Sequence, residues 1–471
     1  MPLIVVAIGI GVLLLLVGRF KLNAFFALLL TSFVVGLLNG MNLLEILDSV
    51  LKGIGDTMGK IILILAFGAM LGKLVEESGA AHTITYRLTE MMGPKHIQYA
   101  LLVTGFLVGL PMLYNASFLM MIPLVYTFAA TTRLPLLYLG LPLCATLSVA
   151  HGYLPPHPAP TYVSFIYEAN VNKVLLYGLV PVIPACFFGG ILLSKFFRHL
   201  DVKPPAGLFQ ERHFEKSQLP GLGISIFTAS IPVLLMLMGA VVDLAFGPPP
   251  AKAELVKQGF DGLGAYYQAF FAAKGIQSAS LIAHVLTVVK FLSDANVALF
   301  MAVAVGVYTL GLRRGKNMDE LMKTLGQSAG AISMIILIIA GGGAFSQVLK
   351  DSHVNEYIRL QATGLHFNPL LLAFMVAALF RLAVGSATVA TMTTAPIMLP
   401  IAQQTGTSPE LMVIATGAGS IMWSHFNDIG FWMFKEYFNL SIKQTFLSWT
   451  VMECTVGIVG IVTVLIMNCF M

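Results

Sequence analysis

Charged residues are scarce in this chain. Asp, Glu, Lys and Arg together make up 10% of its 471 residues, and the formal net charge is only +5. A soluble domain, by contrast, carries about 25% charged residues. Hydrophobic residues reach 57% of the chain, and the mean hydropathy is +0.86. This composition excludes an ordinary soluble protein and predicts an all-α integral membrane protein that passes through the bilayer several times.

Sequence patterns for metal, redox and nucleotide chemistry are also missing. The four cysteines, Cys144, Cys186, Cys454 and Cys469, stand singly within apolar stretches and form no metal-binding or redox spacing. No nucleotide-binding phosphate loop is present, which argues against an ATP-driven pump. The positive charge is spread over loops rather than collected in one basic stripe. We therefore expect no cofactor, no resident metal and no nucleic-acid partner.

Long apolar runs dominate what remains. Ten runs of roughly 17 to 25 residues are long enough to cross a bilayer as helices. Two further stretches, residues 97–130 and 367–400, are apolar but broken near Pro111 and Gly385, and each predicts a re-entrant hairpin. The ten predicted spans begin near Leu3, Leu22, Lys60, Pro135, Val174, Gly221, Phe291, Gln327, Leu411 and Thr445.

Basic residues in the loops predict the orientation. Residues 194–218 and 311–323 are rich in Lys and Arg, so both are expected to face the cytoplasm. The linker at residues 201–220 is therefore expected to be cytoplasmic, and residues 247–290 are expected to lie outside or at the external interface. Tracing the spans from these loops makes the first hairpin open from the inside and the second from the outside.

The chain divides into two similar halves. The polar interruptions at His151 and His425 lie 274 residues apart, and the hairpin tips near Pro111 and Gly385 have the same separation. Because each half contains five crossings and one hairpin, the halves are expected to be inverted relative to each other. The first comprises residues 1–200, with the hairpin 97–130 and a broken helix 135–172, and the second comprises residues 221–471, with the external segment 247–290, the hairpin 367–400 and a broken helix 409–444.

Polar residues interrupt the apolar sequence at four places where a regular helix should fail. Irregular backbone at membrane depth is tolerated only around a cavity, and free helix N-termini favour an anion. Paired breaks in two halves are typical of secondary transporters, whose solute binds near the membrane midplane. The candidate binding residues are Asn115 and Ser117 at the first hairpin tip, His151 and His157 beside the proline run of the first broken helix, Arg381, Gly385, Ser386 and Thr388 at the second tip, and Asn427 in the second broken helix.

Ionisable residues in these breaks are candidates for proton coupling. Asp428 with His425 is the predicted proton relay, because ionisable groups at this depth are costly and are usually functional. His151 and His157 either bind the solute or act as neutral struts that hold the broken helix together. Arg381 either holds a carboxylate through a bidentate pair or pins the hairpin to a neighbour.

These polar segments resemble the gluconate permease family, whose members are proton symporters for gluconate and related hydroxy acids. The resemblance runs through nearly the whole chain. It implies a place in the larger ion-transporter superfamily, with a dimeric scaffold, a mobile transport domain, an elevator mechanism and a location in the bacterial cytoplasmic membrane. The segments that resemble the family are HGYLPPHPAPT from His151, RLAVGSATVATMTTAP from Arg381, SHFNDIGFWMFKEYF from Ser424 and KQTFLSWTVMEC from Lys443.

Three residues depart from the family pattern. Members usually have a glutamate where this chain has Asn115, a glutamine where it has Val384 and a serine where it has Ile429. Each change removes charge or polarity. The resemblance therefore implies a pocket suited to a smaller or less hydroxylated acid than gluconate, such as 3-hydroxybutyrate.

The sequence thus predicts a secondary active transporter, not an enzyme, that imports gluconate or a related small hydroxy monocarboxylate by proton symport, as a homodimer in the lipid bilayer. A symporter of 3-hydroxybutyrate or D-serine, with sodium as another coupling ion, is the alternative. A channel is disfavoured because inverted halves around one site favour alternating access. An intramembrane metalloenzyme using His151, His157 and His425 is disfavoured because the chain lacks a helical spacing of two histidines and a glutamate.

Overall fold

Helices form almost all of the part of the chain that the structure describes. The computed structural model describes residues 2–200, 202, 219–250, 252–276, 278–352 and 367–470, and within these ranges it contains no β-strand. The predicted cytoplasmic linker at residues 201–220 lies almost entirely outside the described residues. Fully hydrogen-bonded helices satisfy the backbone without water, as a membrane requires.

The first half of the chain forms helices α1 to α10. Two π-helical turns, Leu15–Arg19 and Phe187–Leu192, continue α1 and α9 respectively, and the 3₁₀ turn Pro94–His96 precedes α5. The helices are α1 Pro2–Leu14, α2 Ala24–Leu38, α3 Leu43–Glu77, α4 Ala80–Met92, α5 Ile97–Gly109, α6 Tyr114–Thr132, α7 Leu136–Tyr153, α8 Pro158–Ile166, α9 Val171–Cys186 and α10 Leu193–Phe196.

The second half forms the helices α11 to α22. The π-helical turns Val307–Gly311 and Phe446–Thr450 lie after α15 and before α22, and the 3₁₀ turn Leu312–Arg314 precedes α16. The helices are α11 Leu222–Phe246, α12 Lys252–Lys257, α13 Leu263–Ala273, α14 Ala279–Leu292, α15 Ala295–Gly306, α16 Met318–Asp351, α17 Pro369–Val384, α18 Ala387–Thr405, α19 Pro409–Ser420, α20 Ile429–Tyr437, α21 Ile442–Thr445 and α22 Val451–Asn468.

Eight helical segments in the described ranges are long and apolar enough to cross a membrane. Seven correspond to predicted spans, and the eighth, Tyr114–Thr132, belongs to the first predicted hairpin. The predicted spans near Leu3 and Leu22 form shorter apolar helices, and the run near Leu411 is divided into α19 and α20 by an irregular segment. The chain is a multi-pass membrane protein. The eight segments are Leu43–Glu77, Tyr114–Thr132, Leu136–Ile166, Val171–Phe196, Leu222–Phe246, Ala295–Arg314, Ile332–Asp351 and Ile442–Asn468.

Two long helices, α3 and α16, begin in the same way. Asn42 accepts the backbone N–H of Glu45, whose carboxylate accepts the N–H of Asn42 in return. Asn317 and Glu320 form the same capping box before α16. Such boxes satisfy the backbone donors that an isolated helix start leaves unpaired. The two helices pack against each other along their length.

Glycines allow α3 and α16 to approach closely. A Cβ atom on Gly53 would lie 2.3 Å from the carbonyl oxygen of Gly343, and one on Gly343 would lie 2.2 Å from Oγ1 of Thr57. Both distances are far shorter than a van der Waals contact. Small residues are the usual means by which membrane helices bring their backbones together.

Four interruptions separate paired helices. They lie at residues 110–113 between α5 and α6, at 154–157 between α7 and α8, at 385–386 between α17 and α18, and at 421–428 between α19 and α20. The helix pair α7 and α8 is the most enclosed of the candidate spans, with 89% of its apolar window buried. The break between α7 and α8 therefore lies inside the protein. The inverted relation of the interruptions stays a prediction.

The segment after α11 forms a small satellite of the fold. Helices α13 and α14 pack their aromatic and aliphatic residues against the end of α11. The buried carboxylate of Asp243 in α11 pairs with Lys290 of α14 at 2.7 Å. It also accepts from the amide of Asn170, which caps α9. This segment is thus fixed to the two halves through one buried carboxylate.

The close crossing of α3 and α16 generates a stability prediction. Gly343→Ala is expected to lower the free energy of unfolding by about 1 to 3 kcal/mol, because its methyl group meets backbone and Thr57 rather than a flexible side chain. Thermal unfolding in detergent measures this effect. Gly330→Ala on the same helix is the control, because no atom lies within 4 Å of its added Cβ. Equal melting temperatures for the two variants would contradict the account.

Candidate functional site

A cavity of about 350 Å³ lies where three of the four interruptions, and helices from both halves, meet. This volume falls within the range of about 300 to 1,000 Å³ that is usual for small-molecule pockets. The first hairpin contributes Tyr114 and Asn115, and α7 contributes Ser148 and His151. The remaining lining residues are Arg381, Val384, Gly385, Ser386, Ala387 and Thr388 of the second hairpin, Ile421, Asn427, Asp428, Ile429 and Gly430 around the second break, and Trp449 and Glu453 near α22.

The structure brings eight of the eleven predicted site residues to this cavity. They come from positions that are far apart in the sequence, and side chains from both halves line the cavity. The eight residues are Asn115, His151, Arg381, Gly385, Ser386, Thr388, Asn427 and Asp428.

Three predicted site residues, Ser117, His157 and His425, lie outside the cavity lining. Ser117 is buried one helical turn inside α6, where its hydroxyl donates to the carbonyl of Leu113 at 3.2 Å. The buried ring of His157 lies behind His151, with 5.2 Å between the ring centroids. His425 stacks on the ring of the next residue in the chain, and its Nδ1 accepts the backbone N–H of Asn427 at 3.3 Å.

Arg381 joins the second hairpin tip to the second break. Its guanidinium donates to the carbonyl of Gly385 and to the carboxylate of Asp428. The arginine side chain is 4% exposed and the aspartate 15%, so the ion pair is largely removed from solvent. Arg381 therefore performs the pinning role that the sequence left as one of two alternatives.

Gly385 is required by the backbone at the tip. It has φ of +78°, in the left-handed region that glycine tolerates best. A Cβ at this position would lie 2.3 Å from the carbonyl oxygen of Asn427. The amide of Asn427 donates to the carbonyl of Leu382 at 2.9 Å. The tip and the break are thus in backbone contact, and this contact forms one wall of the cavity.

Asp428 connects this wall to α22. Its carboxylate caps α20 by accepting the N–H of Gly430 at 3.0 Å, and it also accepts the hydroxyl of Ser424. The indole N–H of Trp449 donates to the same hydroxyl oxygen at 2.7 Å. The carboxylate of Asp428 therefore accepts from a guanidinium, a backbone N–H and a hydroxyl group.

Several polar atoms of the lining residues have no partner in the described structure. Nε of Arg381, Nδ1 of His151 and Oδ1 of Asn427 are buried without a hydrogen bond. Buried polar atoms are nearly always paired, so these three are candidate contacts for a polar solute. The free guanidinium N–H of Arg381 suits an anion, and the other two atoms suit hydroxyl groups.

Sequence analysis missed Glu453 and Ser148. Glu453 is 2% exposed in the otherwise apolar helix α22, and it accepts the hydroxyl of Ser148 in α7. A lone carboxylate inside a 27-residue candidate span was the available signal, because ionisable residues at such depth are rarely accidental. Its neighbour Trp449 was missed because an indole in an apolar run carries no such signal.

The three residues that depart from the family pattern, Asn115, Val384 and Ile429, all line the cavity. Two of them present hydrocarbon to a wall that is otherwise rich in polar groups. No set of three or more His, Cys, Asp or Glu side chains suited to a metal ion occurs among the described residues. His151 and His157 lie together, and His425 is not grouped with them in such a set.

The buried ion pair generates a stability prediction. Arg381→Gln leaves the Asp428 carboxylate without its cation and is expected to lower the free energy of unfolding by about 3 to 5 kcal/mol. The double variant Arg381→Gln/Asp428→Asn removes the unpaired charge and is expected to recover part of that loss. Lys435→Gln is the control, because it breaks a pair whose glutamate is 58% exposed. Thermal melts of the purified variants measure these effects, and a melting temperature for Arg381→Gln equal to that of Lys435→Gln would contradict the assignment.

Known proteins resemble this chain over nearly its full length. It is 44% identical over 468 residues to the Gnt-II system L-idonate transporter of Escherichia coli (strain K12), with 99% of both chains covered. It is 42% identical to a high-affinity gluconate transporter of the same organism, again with 99% of both chains covered. It is 37% identical to the gluconate permease of Bacillus subtilis (strain 168), with 99% of both chains covered.

Two solved structures share the fold at low sequence identity. The YdaH transporter of Alcanivorax borkumensis superposes with a TM-score of 0.58 and 16% identity, covering 89% of this chain and 88% of that one. MtrF of Neisseria gonorrhoeae gives a TM-score of 0.57 and 17% identity, covering 91% of this chain and 84% of that one. The sequence model of the GntP family permease matches residues 1–470. This chain therefore belongs to the GntP permease family of membrane transporters.

Proposed function

We propose that this chain imports gluconate, L-idonate or a closely related small hydroxy monocarboxylate by proton symport across the cytoplasmic membrane of a bacterium. The observation that carries the proposal is a cavity in which the cationic side chain of Arg381 lies among the amide and hydroxyl groups of Asn115, Ser386 and Thr388. A guanidinium N–H binds a carboxylate through a charge-assisted hydrogen bond. The names of the relatives supply the class of acid.

The polar groups around the cavity suit the rest of such a solute. The side chains of Asn115, Ser386 and Thr388 line the same cavity as Arg381, and Asn427 carries an unpaired amide oxygen. Amides and hydroxyls both donate and accept, which matches the hydroxyl groups of an aldonate. Because a buried polar group without a partner is costly, these groups discriminate against acids that lack hydroxyls.

An elevator mechanism with inverted halves is part of this proposal. The capping boxes at Asn42 and Asn317 begin long, tightly packed helices 275 residues apart. The hairpin turns and helix breaks recur in the same order in both halves. In this mechanism α3 and α16 belong to a fixed scaffold, while the hairpins and broken helices carry the cavity across the membrane as one body, with the chain acting as a homodimer.

Proton coupling also belongs to the proposal. The sequence-based candidates, Asp428 with His425, lie in the second break, where Asp428 lines the cavity and His425 does not. A solute anion that crosses together with a proton carries no net charge, which avoids the cost of moving an isolated charge through hydrocarbon.

A smaller acid, such as 3-hydroxybutyrate, or D-serine is the second candidate, with sodium as the alternative coupling ion. The observation that favours it is that Val384 and Ile429 present hydrocarbon to the cavity. A solute with fewer hydroxyls leaves fewer polar groups against these side chains, so its binding costs less desolvation.

Counterflow in proteoliposomes tests the proposal. Vesicles loaded with unlabelled gluconate, L-idonate, 3-hydroxybutyrate or D-serine are diluted into the same acid in labelled form to measure exchange. Empty vesicles, with and without an inside-alkaline pH gradient, measure net accumulation of each labelled acid. We expect exchange with the two aldonates, and accumulation only with the pH gradient. Exchange restricted to 3-hydroxybutyrate or D-serine, or accumulation driven by sodium alone, would replace the first candidate by the second. Absence of exchange with every acid would contradict both.

The apolar side chains of Val384 and Ile429 in the cavity generate a selectivity prediction. Val384→Gln and Ile429→Ser each add a hydrogen-bonding group to the cavity, and one such bond is worth about 0.5 to 1.5 kcal/mol, or roughly two- to tenfold in affinity. We expect gluconate to compete two- to tenfold better relative to 3-hydroxybutyrate in each variant, on the same estimate. Ile429→Val keeps the wall apolar and is the control. An unchanged ratio in all three variants would show that residues 384 and 429 do not contact the solute.

A further inference from the structure

Glu453 is a buried carboxyl group at the cavity. It lies in the first turn of α22 and is 2% exposed. It lines the same cavity as Arg381 and Asp428. The surrounding sequence of α22 is apolar, so no neighbouring residue on the helix stabilises a charge at this position.

The two acidic residues of the cavity have very different surroundings. Asp428 is paired with Arg381 and accepts from Gly430 and Ser424. Glu453 accepts from the hydroxyl of Ser148, and no described Lys, Arg or His forms an ion pair with it. Burying an ionised carboxylate without a cation is far more costly than burying the neutral acid. Glu453 is therefore the acidic residue whose charge state can change at the least cost.

Ser148 can form a hydrogen bond with Glu453 in both charge states of the glutamate. A hydroxyl donates one hydrogen bond and accepts others. It donates to the carboxylate when Glu453 is ionised, and it accepts from the O–H of the carboxylic acid when Glu453 is protonated. Gain or loss of the proton therefore leaves the contact between α7 and α22 in place.

The other groups that face Glu453 do not neutralise it. Helix α17 supplies Arg381, which is already engaged by Asp428 from the second break. Tyr114 of α6, Cys144 and Tyr153 of α7 and Cys454 of α22 supply no cation in this region. His151 of α7 also lines the cavity, and in its neutral form it adds no charge. Helices α9 and α19 also pack on α22, but neither contributes an ionisable side chain to the cavity lining.

The charge balance of the cavity then depends on Glu453. Arg381 and Asp428 offset each other, and His151 is without a partner at Nδ1. With Glu453 ionised, the cavity carries one net negative charge, which opposes entry of a carboxylate. With Glu453 protonated, the cavity is neutral, and the free Nε of Arg381 can bind the anion. Like charges in one site disfavour each other strongly when water is excluded.

We propose that Glu453 is the proton-binding residue that couples anion binding to proton uptake, with Ser148 as its positioning partner. One proton adds to the Glu453 carboxylate as one carboxylate solute enters, and the proton leaves as the solute leaves. Asp428 keeps its ion pair with Arg381 throughout and holds the guanidinium in place. This assignment deepens the proposed function and rests on it.

Glu453→Gln tests the assignment because glutamine imitates the protonated acid. In proteoliposomes the variant is expected to exchange labelled gluconate but to lose at least tenfold of the accumulation driven by a pH gradient. In detergent, gluconate binding is followed by the change in intrinsic tryptophan fluorescence, to which Trp449 in the cavity lining contributes. For the wild type, affinity is expected to fall roughly tenfold for each pH unit above the titration of one linked proton. For Glu453→Gln, affinity is expected to be independent of pH.

Three further variants make the test specific. Glu90→Gln makes the same chemical change on α4, where the glutamate side chain is 53% exposed, and is expected to accumulate gluconate like the wild type. Asp428→Asn is expected to lose exchange as well as accumulation, because it frees Arg381. Ser148→Ala removes the donor to the ionised carboxylate, so the fall in affinity is expected at a higher pH. Ser148→Ala gives an independent reading if Glu453→Gln does not fold.

Each contrary outcome has a distinct meaning. Accumulation at the wild-type level by Glu453→Gln, or an unchanged pH dependence of its affinity, would overturn the assignment. If Asp428→Asn exchanges gluconate but does not accumulate it, and Glu453→Gln does both, then Asp428 and not Glu453 binds the coupling proton. Failure of the wild type to exchange any hydroxy acid would overturn the proposed function itself, whereas the other outcomes leave that function standing.

Discussion

The buried pair of Arg381 and Asp428 is the interaction on which the rest of the cavity depends. Through it the second hairpin tip, the second helix break and the start of α20 are held as one unit. The pair also arranges the hydroxyl of Ser424, which receives the indole N–H of Trp449. Removing either partner leaves a charge in a poorly solvated place, which costs far more than the pair contributes in net stability. Nε of Arg381 has no hydrogen-bond partner among the described residues, and the proposed binding of a carboxylate depends on this side chain.

Charged residues are so scarce in this chain that their position inside the fold carries information about function. Only 10% of the chain is charged, and most of the apolar surface needs no explanation beyond the bilayer. The polar residues inside the fold are concentrated at helix interruptions, where backbone groups would otherwise be unpaired. An enclosed helix, α7, brings Ser148 and His151 to the same place. The cavity is therefore polar because residues at the helix interruptions, which satisfy the backbone there, also line it.

Much of this site is readable from the sequence, because a break in a long apolar run has few explanations. Glycine with neighbouring polar residues predicted the tip at Gly385, and the proline run predicted the break after His151. The contact between the two halves could not be predicted from the sequence, because no local pattern specifies it. His425 shows the limit: its position in the break is predictable, but the turn directs Asn427 and Asp428, not His425, to the cavity lining. Ser117 shows a second limit of sequence-based prediction. It lies only one helical turn beyond the hairpin tip, yet its side chain is buried and does not line the cavity.

Glu453 was missed for a physical reason as well. A single carboxylate in an apolar helix forms no periodic pattern and has no fixed spacing to other polar residues. Only its depth in the membrane span identifies it as a functional candidate. Its significance comes from what surrounds it, namely Ser148 and the cavity, and from the lack of a paired cation among the described residues.

A structure of the protein with bound gluconate tests the central claim most directly, namely that this cavity binds the solute anion through Arg381. The account predicts the carboxylate within hydrogen-bonding distance of Nε of Arg381, with the hydroxyl groups near Asn115, Ser386 and Thr388. Gluconate bound elsewhere, with Nε of Arg381 hydrogen-bonded to a protein group, would contradict it.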